Sequence, residues 1–269
     1  MLRPHRVLFS LRFTWTLAAL AGALSLASGS ARCAAKKPIE TVHVGVFTVA
    51  PYVFSGPGGP YGVLIDFFDA EIAPRMGVSF VWDSPVTIAR LEQNLLSGRV
   101  MFTPIMTKSP ARVQAGFKFA GEVDVQFKPC IALLPTHKLT AIREPADLYD
   151  MKIGWVKTSP ISQFLQDERI RMDLIGVIDW ERANLAKLEA GRLDGIYFSN
   201  PYTPQYYAAK TGLRLKLLDL PVPAHPVYAT FAPAAPAALV ARYESAARQA
   251  FANGRFEQYI ERALVKKAY

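Results

Sequence analysis

The sequence predicts an α/β protein of two domains, in which helices cover both faces of mostly parallel sheets. Short runs rich in β-branched and aromatic residues alternate with helical patterns along the chain, as in βαβ units. The chain has 269 residues, of which 51% are hydrophobic and 20% are charged, and this is enough for two domains of about 100 residues each. A similar sequence pattern also occurs once in each half of the chain, as LLSGRVMFTPI and as LEAGRLDGIYFSNP. Each of these segments combines the end of a predicted helix, a glycine, a basic residue and a predicted strand.

The order of the elements follows from the hydrophobic pattern. Leu64, Phe68 and Ile72 are spaced by four residues and predict one face of a first helix, and a second helix is expected to end near Gly98. Further helices are predicted at 161–171, 182–190, 202–210, 236–252 and 255–265. Strands are predicted at 42–47, 78–82, 101–105, 127–134, 151–156, 174–178, 194–198, 213–220 and 226–231.

The first 35 residues have the pattern of a secretory signal peptide. Arg3, Arg6 and Arg12 precede the apolar run FTWTLAALAGALSLA, which ends in small residues. This run is about 15 residues long, whereas a membrane-spanning helix needs about 20. We therefore expect an exported, periplasmic protein that is cleaved after Ala31 or Ala35.

Charge and cysteine content exclude several classes of function. The formal charge is +9, but the basic residues are scattered, which does not favour nucleic-acid binding. Cys33 lies beside the predicted cleavage site, and Arg32 before it breaks the small-residue pattern of a lipid-anchor site. Cys130 lies in the apolar run FKPCIALL and is expected to be a buried, unreactive thiol.

The stretch IMTKSPAR contains a cation in an unusual place. Ser109 and Pro110 predict the start of a helix, because serine is a good N-cap and proline is tolerated at the first helical position. Arg112 then falls in the first turn, where the helix dipole disfavours positive charge. A guanidinium beside helix N–H groups makes a concentrated site for a carboxylate, so Arg112 is a candidate anion-binding residue.

The motifs in order are VGVFTVAPYVF, GVLIDFFDAEIAPRMGV, LLSGRV, IMTKSPAR, FKFAG, DLYDMKIGWVKTS, LEAGRLDGIYFSNP and NGRFEQYI. This ordered set resembles the family 3 extracellular solute-binding proteins over about residues 42–264. The resemblance implies a type II periplasmic-binding-protein fold with two lobes and two hinge crossovers. Lobe 1 is expected at 40–126 plus 222–269 and lobe 2 at 127–221.

The resemblance implies a ligand site that both lobes form. In the first lobe, Arg112 would bind the ligand carboxylate and Thr107 would add a hydroxyl. A surface ion pair between Arg112 and an acid such as Glu122 is the structural alternative. Tyr52, which follows a proline in the first loop, could stack on a ligand.

The second lobe is expected to contribute Thr158 and Ser159, where the family usually has glycine at the first position. Ser199 is a departure, because amino-acid receptors of the family carry there an aspartate that neutralises the α-ammonium. Burying an unpaired ammonium is costly. Either another acid such as Asp66 or Glu71 replaces it, or the ligand is not an ordinary α-amino acid.

The sequence therefore predicts a receptor that captures a small polar, carboxylate-bearing solute for the permease of an ABC importer. We expect a monomer that needs no metal or cofactor. Two alternatives stay open: a sensor module that is not coupled to transport, and a periplasmic enzyme of the cyclohexadienyl-dehydratase type on the same scaffold. The sequence lacks GxSxG, HExxH and phosphate-loop motifs, and this favours a binding protein over an enzyme.

Overall fold

The computed structural model describes residues 40–265, apart from the side chains at 122–126 and 265. The predicted signal peptide, its cleavage site and Cys33 lie outside these residues. The strands, in chain order, are β1 (Glu40–Val44), β2 (Phe54–Gly56), β3 (Gly59–Tyr61), β4 (Val78–Trp82), β5 (Phe102–Met106), β6 (Lys118–Phe127), β7 (Cys130–Leu133), β8 (Lys152–Val156), β9 (Arg171–Ile175), β10 (Gly195–Phe198), β11 (Lys216–Asp219) and β12 (His225–Phe231).

The α-helices alternate with these strands for most of the chain, as predicted. They are α1 (Val63–Phe67), α2 (Ala73–Met76), α3 (Ile88–Leu96), α4 (Pro110–Gln114), α5 (Trp180–Glu189), α6 (Tyr202–Thr211), α7 (Ala237–Ala250) and α8 (Arg255–Val265). A π-helical turn, Phe68–Ile72, connects α1 to α2, and Gly77 ends α2 at a φ of 66°. In the part of the chain that the structure describes, no helix is long and apolar enough to span a membrane.

The first lobe is built on a five-stranded sheet in the order β4-β1-β5-β12-β6. Strand β1 runs parallel to β4 and β5, whereas β12 runs antiparallel to both β5 and β6. Val42 and Val44 are buried and alternate with exposed residues along β1, as a strand with one covered face requires. An aromatic cluster fills the core of this lobe, with Phe68 and Phe102 packed against Tyr243.

The second lobe is built on a sheet in the order β11-β7-β10-β8-β9. Strand β8 is parallel to β9 and β10, and β7 is antiparallel to β10 and β11. The chain passes from the first sheet to the second between β6 and β7, and returns between β11 and β12. Cys130 is fully buried in this lobe, so the prediction of a buried thiol is confirmed, and burial raises the pKa of this thiol to about 12.

The helix predicted at 161–171 is wrong. Only a single 3-10 turn, Gln163–Leu165, forms there, and the following strand begins at Arg171, three residues before its predicted start. The Asp167 carboxylate accepts the backbone N–H of Arg169 at 3.0 Å, and such local side-chain bonds compete with helix formation. Strand β9 then pairs along its length with β8, so tertiary pairing decides its boundaries.

The helix start at Ser109 is confirmed. The Ser109 Oγ accepts the backbone N–H of Arg112 at 3.4 Å, and Pro110 is the first residue of α4. This cap fixes the turn that follows β5, so Thr107 and Lys108 lie where β5 ends. The same edge of the sheet faces the second lobe.

Candidate functional site

A pocket of about 390 Å³ lies between the two lobes, beside the segments that connect them. Its first-lobe lining comes from the end of β5 and the beginning of β12, which meet because Tyr228 pairs with Met106 in the antiparallel ladder. Its second-lobe lining comes from the segments that follow β8 and β10. Strand ends of this kind are the usual place for a ligand site in α/β sheets. The lining residues are Thr107, Lys108, Pro129, Trp155, Ser159, Pro160, Ile161, Ser162, Tyr197, Ser199, Val222, Pro223, His225, Pro226 and Tyr228.

Three of the predicted site residues line this pocket together. Thr107 comes from the first lobe, and Ser159 and Ser199 come from the second. Each follows directly or closely on a strand, and all three are partly exposed. Their hydroxyl groups can donate to and accept from a polar ligand, so the pocket offers neutral hydrogen-bonding groups from both sides.

Thr158 lies next to the pocket but does not line it. Its φ is +69°, a conformation that glycine adopts without strain and that is a genuine outlier for a β-branched residue. The Thr158 Oγ1 donates to the carbonyl of Lys157 at 2.6 Å. The turn therefore keeps the left-handed geometry that suits glycine, although a threonine occupies it.

Arg112 is also absent from the pocket lining. Its side chain is only 6% exposed, and its Nε and Nη2 both lie 2.8 Å from Oε1 of Glu92 on α3. Its Nη1 donates to the carbonyl of Thr107 at 2.6 Å. Arg112 thus has an acidic partner in its own lobe, Glu92, and it holds the backbone of a residue that lines the pocket.

Tyr52 lies in the core of the first lobe and not in the pocket. It is fully buried, and its ring centroid lies 5.9 Å from that of Phe127 and 6.3 Å from that of Phe256. The expectation that a loop tyrosine faces a ligand fails here because the aromatic core of the lobe takes up the ring.

The described lining of the pocket includes basic but no acidic side chains. Lys108 and His225 are the ionisable basic residues of the lining, and none of its described residues is acidic. Burial lowers the pKa of His225, which favours its neutral form at pH 7. Asp66 lines a different groove, and Glu71 is bound by Arg75 and Arg255 at 2.8 Å each. Neither acid takes the place of the missing aspartate at Ser199.

Sequence reasoning missed Lys108, Tyr197 and His225 as lining residues. Lys108 stands between Thr107 and Ser109 in the motif already singled out, so its position could have indicated it. Tyr197 and Trp155 are inward-facing strand residues whose rings lie 4.5 Å apart. They belong to the core and to the pocket wall at once, which a sequence pattern does not distinguish.

A second groove, of about 580 Å³, lies between the β2–β3 hairpin, α6 and α8. It is larger than the pocket but contains none of the predicted site residues. Its ionisable side chains are Asp66, Lys210 and Arg262, with tyrosines on both sides. The smaller pocket remains the better candidate, because strand ends of both sheets converge on it.

Comparison with known proteins supports the fold. No family model matches the chain, and no curated protein does. A periplasmic binding protein of Salmonella typhimurium with high arginine specificity is 18% identical, and the match covers 83% of this chain and 98% of that one with a TM-score of 0.68. An amino acid ABC transporter substrate-binding protein of Streptococcus pneumoniae bound to L-arginine is 16% identical, with 84% and 94% covered and a TM-score of 0.68.

A domain of BvgS from Bordetella pertussis is similar to the same extent. It is 16% identical, and the match covers 84% of this chain and 93% of that one with a TM-score of 0.69. At these identities the likeness is one of fold, and it extends over most of residues 40–265. The chain has the two-lobed α/β fold of periplasmic amino-acid-binding proteins.

Proposed function

We propose that this protein is an exported solute-binding protein of the family 3 type, which captures a small carboxylate-bearing solute in the pocket between its lobes. The observation that carries the proposal is the convergence of Thr107, Ser159 and Ser199 on one pocket beside Lys108. The volume of about 390 Å³ lies within the range of about 300–1,000 Å³ that is common for small-molecule sites.

Lys108 is the cation that this proposal assigns to the ligand carboxylate. An ammonium can place three donors around an anion without the planar geometry that a guanidinium needs. The hydroxyls of Thr107, Ser159 and Ser199 complete the polar contacts from both lobes. A ligand that touches both lobes favours the closed arrangement over the open one, which is how such receptors couple capture to closure.

Arg112 has a supporting role in this proposal. Its guanidinium is paired with the Glu92 carboxylate, and its hydrogen bond to the Thr107 carbonyl fixes the segment that carries Thr107 and Lys108. For Arg112 to bind the ligand itself, the ligand carboxylate must displace Glu92. These two roles make different predictions for a Glu92 variant.

The ligand class follows from the absence of an acid among the described lining residues. An α-ammonium would be buried there without a partner, which costs several kcal/mol. We infer a carboxylate without a free α-amino group, or one whose amine is masked or left in water. Delivery to the permease of an ABC importer, lobe boundaries at 40–126 with 222–269 and at 127–221, and a monomeric, periplasmic protein are parts of the same proposal.

The test is a titration of matched pairs, each an α-amino acid and its deamino or 2-hydroxy analogue, such as phenylalanine with phenyllactate. Mass spectrometry of solutes that co-purify with the protein selects the pairs, and calorimetry measures the affinities. We expect the analogue to bind more tightly in each pair. Consistent preference for the amino acid, unchanged in Ser199→Ala, would contradict the inferred ligand class.

The same protein should leave prephenate and arogenate unchanged. The pocket lining lacks a described carboxylate that could serve as a general acid or base. Formation of an aromatic product from either compound would favour the enzymatic alternative.

A further inference from the structure

The loop between β1 and β2 of the first lobe is bonded to the second lobe. Ala50, in this loop, is fully buried and packs among core residues of the second lobe. Its bonding partners lie at the beginnings of α5 and α6, more than 130 residues away in sequence. This contact is separate from the pocket lining described above.

Both polar groups of the Ala50 backbone are bound by the second lobe. Its N–H donates to the carboxylate of Glu181, with the two oxygens at 3.1 and 3.2 Å. Its carbonyl accepts the hydroxyl of Thr203 at 2.5 Å. Glu181 and Thr203 are only 2% and 1% exposed, so water does not compete for these bonds.

The second lobe holds these two side chains in place with its own residues. The Tyr207 hydroxyl donates to Glu181 Oε2 at 3.0 Å. The Asn200 Oδ1 accepts the backbone N–H of Thr203 at 3.0 Å, and Asn200 directly follows Ser199 of the pocket. The site for Ala50 is therefore preorganised, and it shares one turn with the pocket.

Two further bonds flank this site. The Trp180 Nε1 donates to the carbonyl of Thr48 at 3.3 Å, and the Thr48 hydroxyl donates to the carbonyl of Ile178. The first-lobe loop thus contributes backbone groups and one hydroxyl, and the second lobe contributes a carboxyl group, a hydroxyl, an indole and one backbone carbonyl.

We propose that the Ala50 peptide unit is an internal ligand of the second lobe, which latches the two lobes together in the absence of solute. Glu181 and Thr203 recognise an adjacent donor and acceptor, which is the chemistry by which a receptor binds a polar solute. Opening the lobes exchanges these bonds for bonds to water, and an intramolecular hydrogen bond keeps a net advantage in such an exchange. The latch therefore favours the closed arrangement of the solute-free protein.

The test uses solute-free protein, prepared by unfolding, dialysis and refolding. Small-angle X-ray scattering measures the radius of gyration, and hydrogen exchange with mass spectrometry follows the peptide that contains Ala50. In the wild type we expect a compact particle and slow exchange at this peptide. Glu181→Ala and Thr203→Val should increase the radius of gyration and accelerate the exchange at least tenfold.

Two controls separate the latch from general destabilisation. Glu181→Gln keeps a side-chain acceptor of the same shape and should retain slow exchange at the Ala50 peptide. Glu189→Ala removes an exposed carboxylate from the same helix, α5, and should resemble the wild type in both measurements. Circular dichroism establishes that each variant is folded, and Thr203→Val provides the milder change if Glu181→Ala does not fold.

Two outcomes would overturn the proposal. One is a solute-free wild type that is already extended in solution, with fast exchange at the Ala50 peptide. The other is a folded Glu181→Ala or Thr203→Val protein that matches the wild type in both measurements. Neither outcome bears on the pocket, because the matched-pair titration tests ligand capture independently.

Discussion

At the scale of single residues, the candidate pocket depends on which cation faces it. Arg112 is the residue that the sequence singled out, because it lies in the first turn of a helix. The structure shows that Glu92 neutralises it at 2.8 Å, so its unfavourable position is compensated within the lobe. Lys108, four residues earlier, is exposed and lines the pocket. A sequence pattern gives the neighbourhood of such a site but not which side chain faces inward.

Lys108→Met should weaken binding of the preferred carboxylate about tenfold, which corresponds to about 1.4 kcal/mol. The substitution keeps the length of the side chain and removes its charge, so the stability of the fold should not change. Calorimetry and thermal unfolding measure the two quantities. Lys138→Met, at an exposed position outside the pocket lining, is the matched control and should keep full affinity.

Glu92→Gln separates the two roles of Arg112 in the same assay. If Arg112 only supports Thr107, the affinity should stay within about twofold of the wild type. If the ligand carboxylate displaces Glu92, the variant should bind more tightly, because a competitor for the guanidinium has been weakened. Unchanged affinity in Lys108→Met together with tighter binding in Glu92→Gln would identify Arg112, and not Lys108, as the residue that binds the ligand carboxylate.

At the scale of elements, the alternation of strands with helices and the cap of α4 could be predicted from the sequence. The competition between a side chain and the helical backbone could not. Strand β1 followed from alternating valines, and the start of α4 followed from its serine and proline. The helix predicted around Asp167 does not form, because a bond from the backbone N–H of Arg169 to the Asp167 side chain favours a turn. The β2–β3 hairpin was not predicted, because its strands are only three residues long and contain glycine and proline, which weaken the strand signal.

Gly154 in β8 shows how tightly the second-lobe elements pack. A Cβ at this position would lie 2.6 Å from Leu193 Cδ1 and 3.0 Å from Asn184 Cγ. Gly154→Ala should therefore lower the free energy of unfolding by about 1–3 kcal/mol through overpacking. Gly176→Ala is the control in the same lobe, since its Cβ would meet nothing closer than 3.9 Å.

Urea denaturation measures both glycine variants. Gly154→Ala should have a lower midpoint than the wild type with an unchanged slope, because the surface exposed on unfolding is the same. Gly176→Ala should stay within about 0.5 kcal/mol of the wild type. Equal midpoints for the two variants would mean that β8 and α5 can separate more easily than the structure indicates.

At the scale of the whole molecule, the latch makes closure sensitive to pH. Burial, followed by the negative charge of Asp179, raises the pKa of Glu181 to about 8, while the bonds from Ala50 and Tyr207 oppose this shift. Arg182 and Lys210 line the same cavity, and the first-lobe loop at 45–53 brings no charged side chain to it. On opening, hydration of the carboxyl group should return its pKa towards the ordinary value of 4.5.

These two pKa values determine whether closure becomes more or less favourable as the pH rises. Because the closed state has the higher pKa, it takes up a proton between about pH 4.5 and 8, so closure is most favourable at the acidic end. Its free energy should become less favourable by up to about 1.4 kcal/mol for each pH unit over this interval. We therefore expect the radius of gyration of the solute-free protein to increase between pH 5 and pH 9.

Glu181→Gln should remove this pH dependence and stay compact across the series. Scattering at several pH values, at constant ionic strength, measures the trend for both proteins. His225 also titrates near this range, but burial lowers its pKa and it is present in both proteins. A wild-type protein whose dimensions do not change with pH would contradict a Glu181-dependent closure.

The order of strands in the first sheet also affects when this sheet can form as the chain is synthesised. All strands of the second sheet lie between residues 130 and 219, so they are present once the ribosome has passed this uninterrupted stretch. The first sheet, by contrast, lacks the strand between β5 and β6 until β12 is made. Until then β6 has no partner and offers open backbone groups to other chains. A growing chain therefore contains every strand of the second sheet before it contains every strand of the first, although the first sheet begins earlier in the sequence.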